Sequence, residues 1–274
     1  MKIGFIGTGN MGGAILKSYA RVAEEQGNEA LAFNRTKAKA EALLEDVKKD
    51  SGKSFEIKDS LAELVKDSDI VFMCVEPQNF DDVMPGVAEA FGEAGEKILV
   101  SIAAGITIDY LEGKLGKDAK IVRTMPNTPI MHGLGATAMV RNANISDEDM
   151  QVVKAVFEAG GITGEVTEDL IGAVIGVSGS SPAYTYMYID ALIKVGTDNG
   201  LDPELAKRFA AQAVMGAGKM VLTADESPAQ LCDNVCSPGG TTIEAVKKLR
   251  EENFEEITVR GAQASVDRAE EMSK

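Results

Sequence analysis

The chain has 274 residues, with 28 Lys+Arg against 43 Asp+Glu, a formal net charge of −15. So acidic a surface repels phosphate backbones and anionic headgroups, which argues against nucleic-acid binding and membrane-surface binding. A single histidine, His132, excludes a multi-histidine metal centre and is not set in anything resembling a Ser-His-Asp triad, so no metal site is expected.

Lys2–Ile6 is an apolar run closed by glycine and reads as a first strand. A helical period follows over residues 14–26. Residues 30–33 form a second strand and 37–49 a second helix. Residues 70–75 (IVFMCV) and 98–102 (ILVSI) are unbroken apolar runs, and 121–124 and 135–140 read as further strands. Continuous apolar strands separated by helical periods predict a parallel sheet covered on both faces. The chain opens directly into a strand without a signal-peptide pattern, and no apolar run is long enough to span a bilayer. Cys74, Cys232 and Cys236 are too sparse for a secreted disulfide framework. A soluble, cytoplasmic protein is expected.

Beyond about residue 163 strand signals cease. Ser181-Pro182 pairs a cap with proline at the first helical position, and the helix stops near Gly200. Asp202-Pro203 repeats the pattern and opens a long helix to about Leu222. Ser227-Pro228-Ala229-Gln230 and Thr241-Thr242-Ile243-Glu244 both read as capping boxes, and Phe254–Met272 as a last helix. The expected division is therefore an α/β domain over 1–163 and an all-helical domain over 164–274. The run 210–218 (AAQAVMGAG) is rich in small residues that permit close helix packing. A helical domain of only about 110 residues predicts a core shared with a second copy, a homodimer.

Gly7-Thr8-Gly9-Asn10-Met11-Gly12 follows the first strand and opens the first helix, the context a dinucleotide-binding GxGxxG requires. Gly7 permits the tight turn, Gly9 lets backbone approach a pyrophosphate, and Gly12 lets the helix pack on the strand. At the end of the second strand, an NAD site carries an acid for the ribose hydroxyls. This chain has Asn34-Arg35-Thr36 instead, followed by Lys37 and Lys39. An amide, a hydroxyl and a guanidinium suit a 2′-phosphate. Cations at a helix N-terminus oppose its dipole, so a bound anion is a reason for them. The expectation is NADP(H) in preference to NAD(H), with NAD(H) still admissible.

The segment Asp233 to Glu244 (DNVCSPGGTTIE) joins two predicted helices. Gly239 and Gly240 precede a helix start, and Ser237, Thr241 and Thr242 add hydroxyls to the same turn. Several backbone N–H groups can converge there on one carboxylate.

With FIGTGNMGGAI, NRT, VEPQ, SIAAGIT and RTMPNTP, this DNVCSPGGTTIEAV segment resembles the pyrroline-5-carboxylate reductase family over essentially the whole chain. The resemblance implies an N-terminal Rossmann-type doubly wound parallel sheet and an all-helical C-terminal dimerisation domain. It implies hydride transfer from NAD(P)H to the C=N carbon of 1-pyrroline-5-carboxylate, giving L-proline. By the same resemblance, Gly7, Thr8, Gly9, Asn10, Met11 and Gly12 hold the pyrophosphate, and Asn34, Arg35 and Thr36 surround the 2′-phosphate. Val75 and Pro77 border the adenosine. Ala103, Ala104 and Gly105 lie by the nicotinamide with Pro126 and Asn127. Ser237, Gly239, Gly240 and Thr241 hold the substrate carboxylate, and the Thr242 hydroxyl faces the ring nitrogen. In the family the helical domains intertwine as a dimer, and some members assemble dimers into larger rings. One departure is Glu76, where the family commonly has lysine.

A protonated cyclic imine is already electrophilic, so positioning and one hydroxyl can suffice for the chemistry. A β-hydroxyacid dehydrogenase is the nearest alternative, and resemblance says it needs a lysine on the first long helix of the second domain. No Lys or Arg occurs between Ala155 and Ile193. A non-catalytic NADP(H) sensor on the same fold is a further alternative; the SPGGTT turn, a second anion site, counts against it.

Overall fold

Eight strands and twelve α-helices make up the computed structural model, which describes residues Met1–Ser273. The α/β part runs β1 (Lys2–Ile6), α1 (Asn10–Ala20), β2 (Glu29–Phe33), α2 (Lys37–Ser51), β3 (Glu56–Ile57), α3 (Leu61–Asp67) and β4 (Ile70–Met73). It continues through α4 (Phe80–Ala94), β5 (Ile98–Ser101), α5 (Ile108–Leu115), β6 (Lys120–Met125), β7 (Gly135–Arg141), α6 (Asp147–Glu158) and β8 (Gly161–Glu165). The helices that follow are α7 (Ile171–Val174), α8 (Ser181–Asp198), α9 (Pro203–Thr223), α10 (Pro228–Asn234), α11 (Thr241–Glu251) and α12 (Phe254–Met272).

The sheet order is β3-β2-β1-β4-β5-β6-β7-β8. Strands β3 to β6 are mutually parallel, as the unbroken apolar runs predict. β7 departs from that pattern and runs antiparallel to β6, while β8 is parallel to β7. The link from β6 to β7 holds only a short 3₁₀ turn, Thr128–His132, too little for the crossover that a parallel return needs. Alternation along the central strands feeds two cores. Phe5 and Phe72 pack with Ile15, Leu16, Tyr19 and Phe157 beneath α1 and α6. Ile6 and Met73 pack with Leu64, Phe80, Leu99 and Leu111 beneath α3, α4 and α5. The Phe5 and Phe72 rings stack at 4.8 Å.

Caps set several helix starts. Ser60, Thr107, Asp202 and Ser227 each accept from a backbone N–H of the first turn, and Ser146 forms a full capping box with Asp149. At α11 the expectation differs from the structure. The N-cap is Gly240, without a side-chain cap, and Thr241 is the first helical residue, so the Thr241–Glu244 capping box does not form.

Chain contacts divide the molecule into two compact units. One is Met1–Gly179 together with the stretch from Ser265 on; the other is Ser180–Ala264. The division expected after residue 163 falls inside β8, an exposed edge strand whose GITGE sequence carries two glycines and no apolar run. In the second unit, α8 has no buried residue and α9 buries only Ala206 and Ala210. The two helices approach closely at Gly196, where an added Cβ would lie 3.1 Å from Ala206 Cβ. Met187, Leu222 and Phe209 remain 74%, 71% and 60% exposed, an apolar surface that signals a protein interface. Among the described residues, no helix is long and apolar enough to cross a membrane.

Candidate functional site

β1, β2, β4, β5 and β6 are neighbours in the parallel sheet, and each ends at a segment that sequence reading singled out. Gly7–Gly12 follows β1, Asn34–Thr36 follows β2, Val75–Pro77 follows β4, Ala103–Gly105 follows β5, and Pro126–Asn127 follows β6. The strand order reverses between β1 and β4, and α/β sheets bind ligands at the carboxyl edge beside such a switch point.

The three glycines of the first loop do different work. Gly7 has φ +98°, and an added Cβ would sit 2.9 Å from the Cys74 carbonyl oxygen. At Gly12 an added Cβ would collide with the Gly7 carbonyl and lie 2.5 Å from Cys74 Cβ, so glycine lets α1 press onto β1 and β4. Gly9, the N-cap of α1, would meet nothing within 4 Å. The space it leaves open is outside the protein, where a phosphate fits against the free N–H groups of the helix start. Asn10 is exposed, Met11 is half-buried, and the first turn of α1 contains no acid. Thr8 is 8% exposed, and its hydroxyl is buried with no hydrogen-bond partner. The open, N–H-lined cradle beside it fits a dinucleotide phosphate. Cys74, packed behind the loop, has its thiol pushed far up by burial and is inert there.

Asn34 turns inward as well as outward. Its Oδ1 accepts from Thr8 N–H at 3.0 Å, and its Nδ2 donates to the Thr36 carbonyl at 2.9 Å. The amide thus binds two protein groups, a bracing role that sequence reading had not separated from ligand contact. Thr36 is the N-cap of α2 but makes no side-chain cap bond, and the first turn of α2 has no acid. Arg35 is exposed and makes no ion pair among the described residues. Lys37, by contrast, is tied to Asp59 at 2.6 Å, which holds its ammonium above the usual lysine range. Glu76 is exposed, and its carboxylate accepts from Gln78 Nε2 at 2.6 Å. Val75 and Pro77 are half-buried beside it.

Toward β5 and β6 the residues are more enclosed. Ala103 is 4% exposed and Ala104 is half-buried. Gly105 has φ +79°, and an added Cβ would lie 3.0 Å from the Met272 carbonyl, so its glycine serves the packing of the end of α12. Pro126 is buried. Asn127 is 7% exposed; its Nδ2 donates to the Ser178 carbonyl at 3.0 Å and its Oδ1 accepts from Ala136 N–H at 2.8 Å. The Asn127 amide therefore ties the loop after β6 to β7 and to the π-helical turn Ile175–Gly179.

In the second unit, the turn between α10 and α11 is open. Ser237, Thr241 and Thr242 are exposed, and none of their hydroxyls makes a hydrogen bond among the described residues. Gly239 has φ +72°, and Gly240 N–H closes the turn on the Ser237 carbonyl at 3.0 Å. With Gly240 as a cap that offers no side chain, the first N–H groups of α11 stay free. Free donors at a helix N-terminus and three hydroxyls suit a carboxylate. Burial raises the Cys236 thiol before this turn above its usual range, and Cys232 adds to the effect.

Residues 168–272 match the family described as pyrroline-5-carboxylate reductase dimerisation. Residues 2–105 match the family described as NADP oxidoreductase coenzyme F420-dependent. The chain is 38% identical to the pyrroline-5-carboxylate reductase of Escherichia coli, covering 100% of this chain and 98% of that one. It is 35% identical to pyrroline-5-carboxylate reductase 2 of Bos taurus, over 99% of this chain and 84% of that one. Among solved structures, the pyrroline-5-carboxylate reductase from Coxiella burnetii superposes with a TM-score of 0.88 at 31% identity, covering 99% and 98% of the two chains. The pyrroline carboxylate reductase of Plasmodium falciparum, solved with NADP bound, superposes with a TM-score of 0.85 at 28% identity, covering 100% and 98%.

Proposed function

The chain belongs to the pyrroline-5-carboxylate reductase family, and from that premise we propose how its residues perform the reduction of 1-pyrroline-5-carboxylate to L-proline, the last step of proline biosynthesis. It is an oxidoreductase acting on a cyclic C=N bond. The cofactor, when bound, supplies the hydride to the imine carbon. Gly9 and Asn10 bind its diphosphate at the N-terminus of α1, with the Thr8 hydroxyl behind them. Arg35 and Thr36 favour the 2′-phosphate of NADP(H) over the bare ribose of NAD(H). Asn34 holds the two phosphate-binding segments together through its bonds to Thr8 and Thr36. Val75, Pro77, Ala103 and Ala104 shape the remaining walls, and Asn127 and Gly105 hold their loops in place.

The observation that carries the substrate assignment is the Ser237–Thr242 turn, a Gly240-capped helix start with three hydroxyls left free. Ser237, Gly239, Gly240 and Thr241 bind the carboxylate of the substrate, and the Thr242 hydroxyl bonds the ring nitrogen. The protonated imine brings its own proton to that nitrogen, so no buried acid is required. Hydride addition at carbon then completes a secondary amine. Hydride donor and acceptor must be held at about 3–3.5 Å, which makes a rigid grip on the carboxylate the main catalytic contribution of the turn.

The apolar surface of α8 and α9 supports a homodimer through the helical unit, with light scattering to read whether dimers associate further into a ring. The cytoplasm, where reduced dinucleotides are regenerated, is the compartment proposed. The test is NADPH oxidation with 1-pyrroline-5-carboxylate as substrate, run beside 3-hydroxyisobutyrate in the oxidative direction. Turnover of the imine alone is expected. Oxidation of the hydroxyacid would instead favour a β-hydroxyacid dehydrogenase, and activity on neither would favour a sensor.

A further inference from the structure

β6 carries a charge in its interior. Arg123 is 3% exposed and sits between Val122 and Thr124, which are buried as well. Taking a guanidinium out of water is costly, and an apolar pair in place of a buried ion pair often serves stability as well or better. Among the described residues its one ion-pair partner is Glu168, at 2.7 Å. Glu168 opens the 3₁₀ turn between β8 and α7. The same carboxylate oxygen, Oε1, also accepts the Ile108 backbone N–H at 2.9 Å. Ile108 is the first residue of α5, where the helix dipole favours a carboxylate.

These bonds close a clamp across one loop. Residues 102–107 join β5 to α5 and include Ala103, Ala104 and Gly105. At the start of the loop, Ser101 pairs with Arg123 in the parallel register, and the Thr124 hydroxyl donates to the Ser101 carbonyl at 3.0 Å. At its end, Ile108 is tied through Glu168 back to Arg123. Both ends of the loop are therefore fixed to the same two residues of β6. The segment from Glu168 to Ser178 is held likewise, by Arg123 at one end and by Asn127 at the other.

We propose that Arg123 and Glu168 are positioning residues for hydride transfer, which fix the Ala103–Gly105 loop and through it the nicotinamide ring. The proposal rests on the reading of that loop as the nicotinamide wall of an imine reductase. Their action is on distance and orientation, not on affinity. The diphosphate and 2′-phosphate segments follow β1 and β2, so a loosened clamp leaves those contacts in place and slows the chemical step.

The test compares the parent with the double variant Arg123→Met/Glu168→Leu. Both charges go together, so none is left buried and unpaired, and the melt should match the parent or exceed it. Its kcat for the imine is expected to fall by about ten- to a hundredfold, the scale of misplacing the reacting atoms by about 1 Å. NADPH affinity should stay near the parental value. With NADPH deuterated at the transferred hydrogen, the isotope effect on kcat should rise, because hydride transfer becomes limiting. Glu168→Gln keeps an oxygen for Ile108 and Arg123 and should recover most of the rate. Parental kcat in a normally melting double variant overturns the proposal. So does a slow double variant whose melting temperature or NADPH affinity falls in step, since that is a merely structural role. If the parent itself reduces no cyclic imine, the imine-reductase reading falls and takes the proposal with it.

Discussion

Thr8 donates its backbone N–H to Asn34 Oδ1 at 3.0 Å, so the glycine loop after β1 is pinned to the turn after β2. The same amide donates to the Thr36 carbonyl at 2.9 Å. Asn34 therefore orders two binding segments at once. Asn34→Ala is expected to weaken NADPH and NADH alike, by about tenfold, because a preorganised loop is lost rather than a phosphate contact. Asn34→Asp keeps an acceptor for Thr8 but places a carboxylate beside the 2′-phosphate segment, and should shift preference toward NADH. Dissociation constants for both dinucleotides decide the matter. A loss confined to NADPH in Asn34→Ala would show that the amide serves the phosphate directly.

Gly9 and Gly12 predict opposite phenotypes for one added methyl group. At Gly9 a Cβ meets nothing within 4 Å, and φ is −72°, so alanine fits the fold. Gly9→Ala should melt like the parent and bind cofactor at least tenfold more weakly, since the methyl occupies the phosphate cradle. At Gly12 the obstructing atoms are the Gly7 carbonyl and Cys74 Cβ, neither of which can swing aside. Gly12→Ala should lose about 1–3 kcal/mol of stability as well as cofactor binding. Thermal melts of the apo-proteins separate the two cases. A normal melt for Gly12→Ala would refute the packing argument.

Much of this was readable from sequence, for reasons that differ by residue. The glycine loop could be read because Gly7, Gly9 and Gly12 each meet a separate backbone requirement at fixed spacing. The parallel strands could be read because burial on both faces leaves unbroken apolar runs. β8 could not, since an exposed edge strand with two glycines has neither apolar run nor alternation. Lys37 and Lys39 are equivalent in sequence; only folding brings Asp59 to the first, while the second has no ion pair among the described residues. Asn34 and Asn127 matched a ligand-binding pattern, yet their amides are engaged by Thr8, Thr36, Ser178 and Ala136, partners that local spacing cannot reveal for an amide. The Thr241 cap failed because a glycine one residue earlier already holds the extended N-cap conformation.

A buried lysine on β3's carboxyl side sets a pH response. Lys58 is 6% exposed and pairs with Asp67 at 2.6 Å and Glu56 at 2.8 Å. The bond to Lys58 holds the Asp67 carboxyl below the usual carboxylate range, and Asp67 first, then Glu56, holds the ammonium above the usual lysine range. A carboxylate lowered on folding stabilises the fold above the unfolded pKa of about 3.9, and that contribution fades as pH falls through the lower folded value. A lysine raised on folding stabilises below about 10.4 and loses that contribution as pH rises through the higher folded value. Asp67→Asn should therefore lower the melting temperature at neutral pH and make its acid decline shallower than in the parent. Melts taken from about pH 2.5 to 7 read both effects. Parallel acid declines in the two proteins would remove Asp67 from the acid response.

Thr242 carries the sharpest chemical claim. It lies in the first turn of α11, its side chain is exposed, and its hydroxyl makes no hydrogen bond among the described residues. Structural capping cannot explain a free hydroxyl, because Gly240 occupies the cap position. As hydride adds at carbon the nitrogen regains a lone pair, and the Thr242 hydroxyl can donate to it in the transition state. Thr242→Ala should then lower kcat by about ten- to a hundredfold, the scale of one transition-state hydrogen bond, with a smaller change in KM for the imine. Thr242→Ser should recover most of the rate, since it restores the hydroxyl on the same backbone. Ser237→Ala should show the reverse split, chiefly a raised KM, because a carboxylate contact is made equally in the ground and transition states. Melts of the variants should match the parent, as exposed first-turn positions bear little of the fold. Near-parental turnover in Thr242→Ala would leave the turn as a carboxylate grip alone and remove Thr242 from the chemical step.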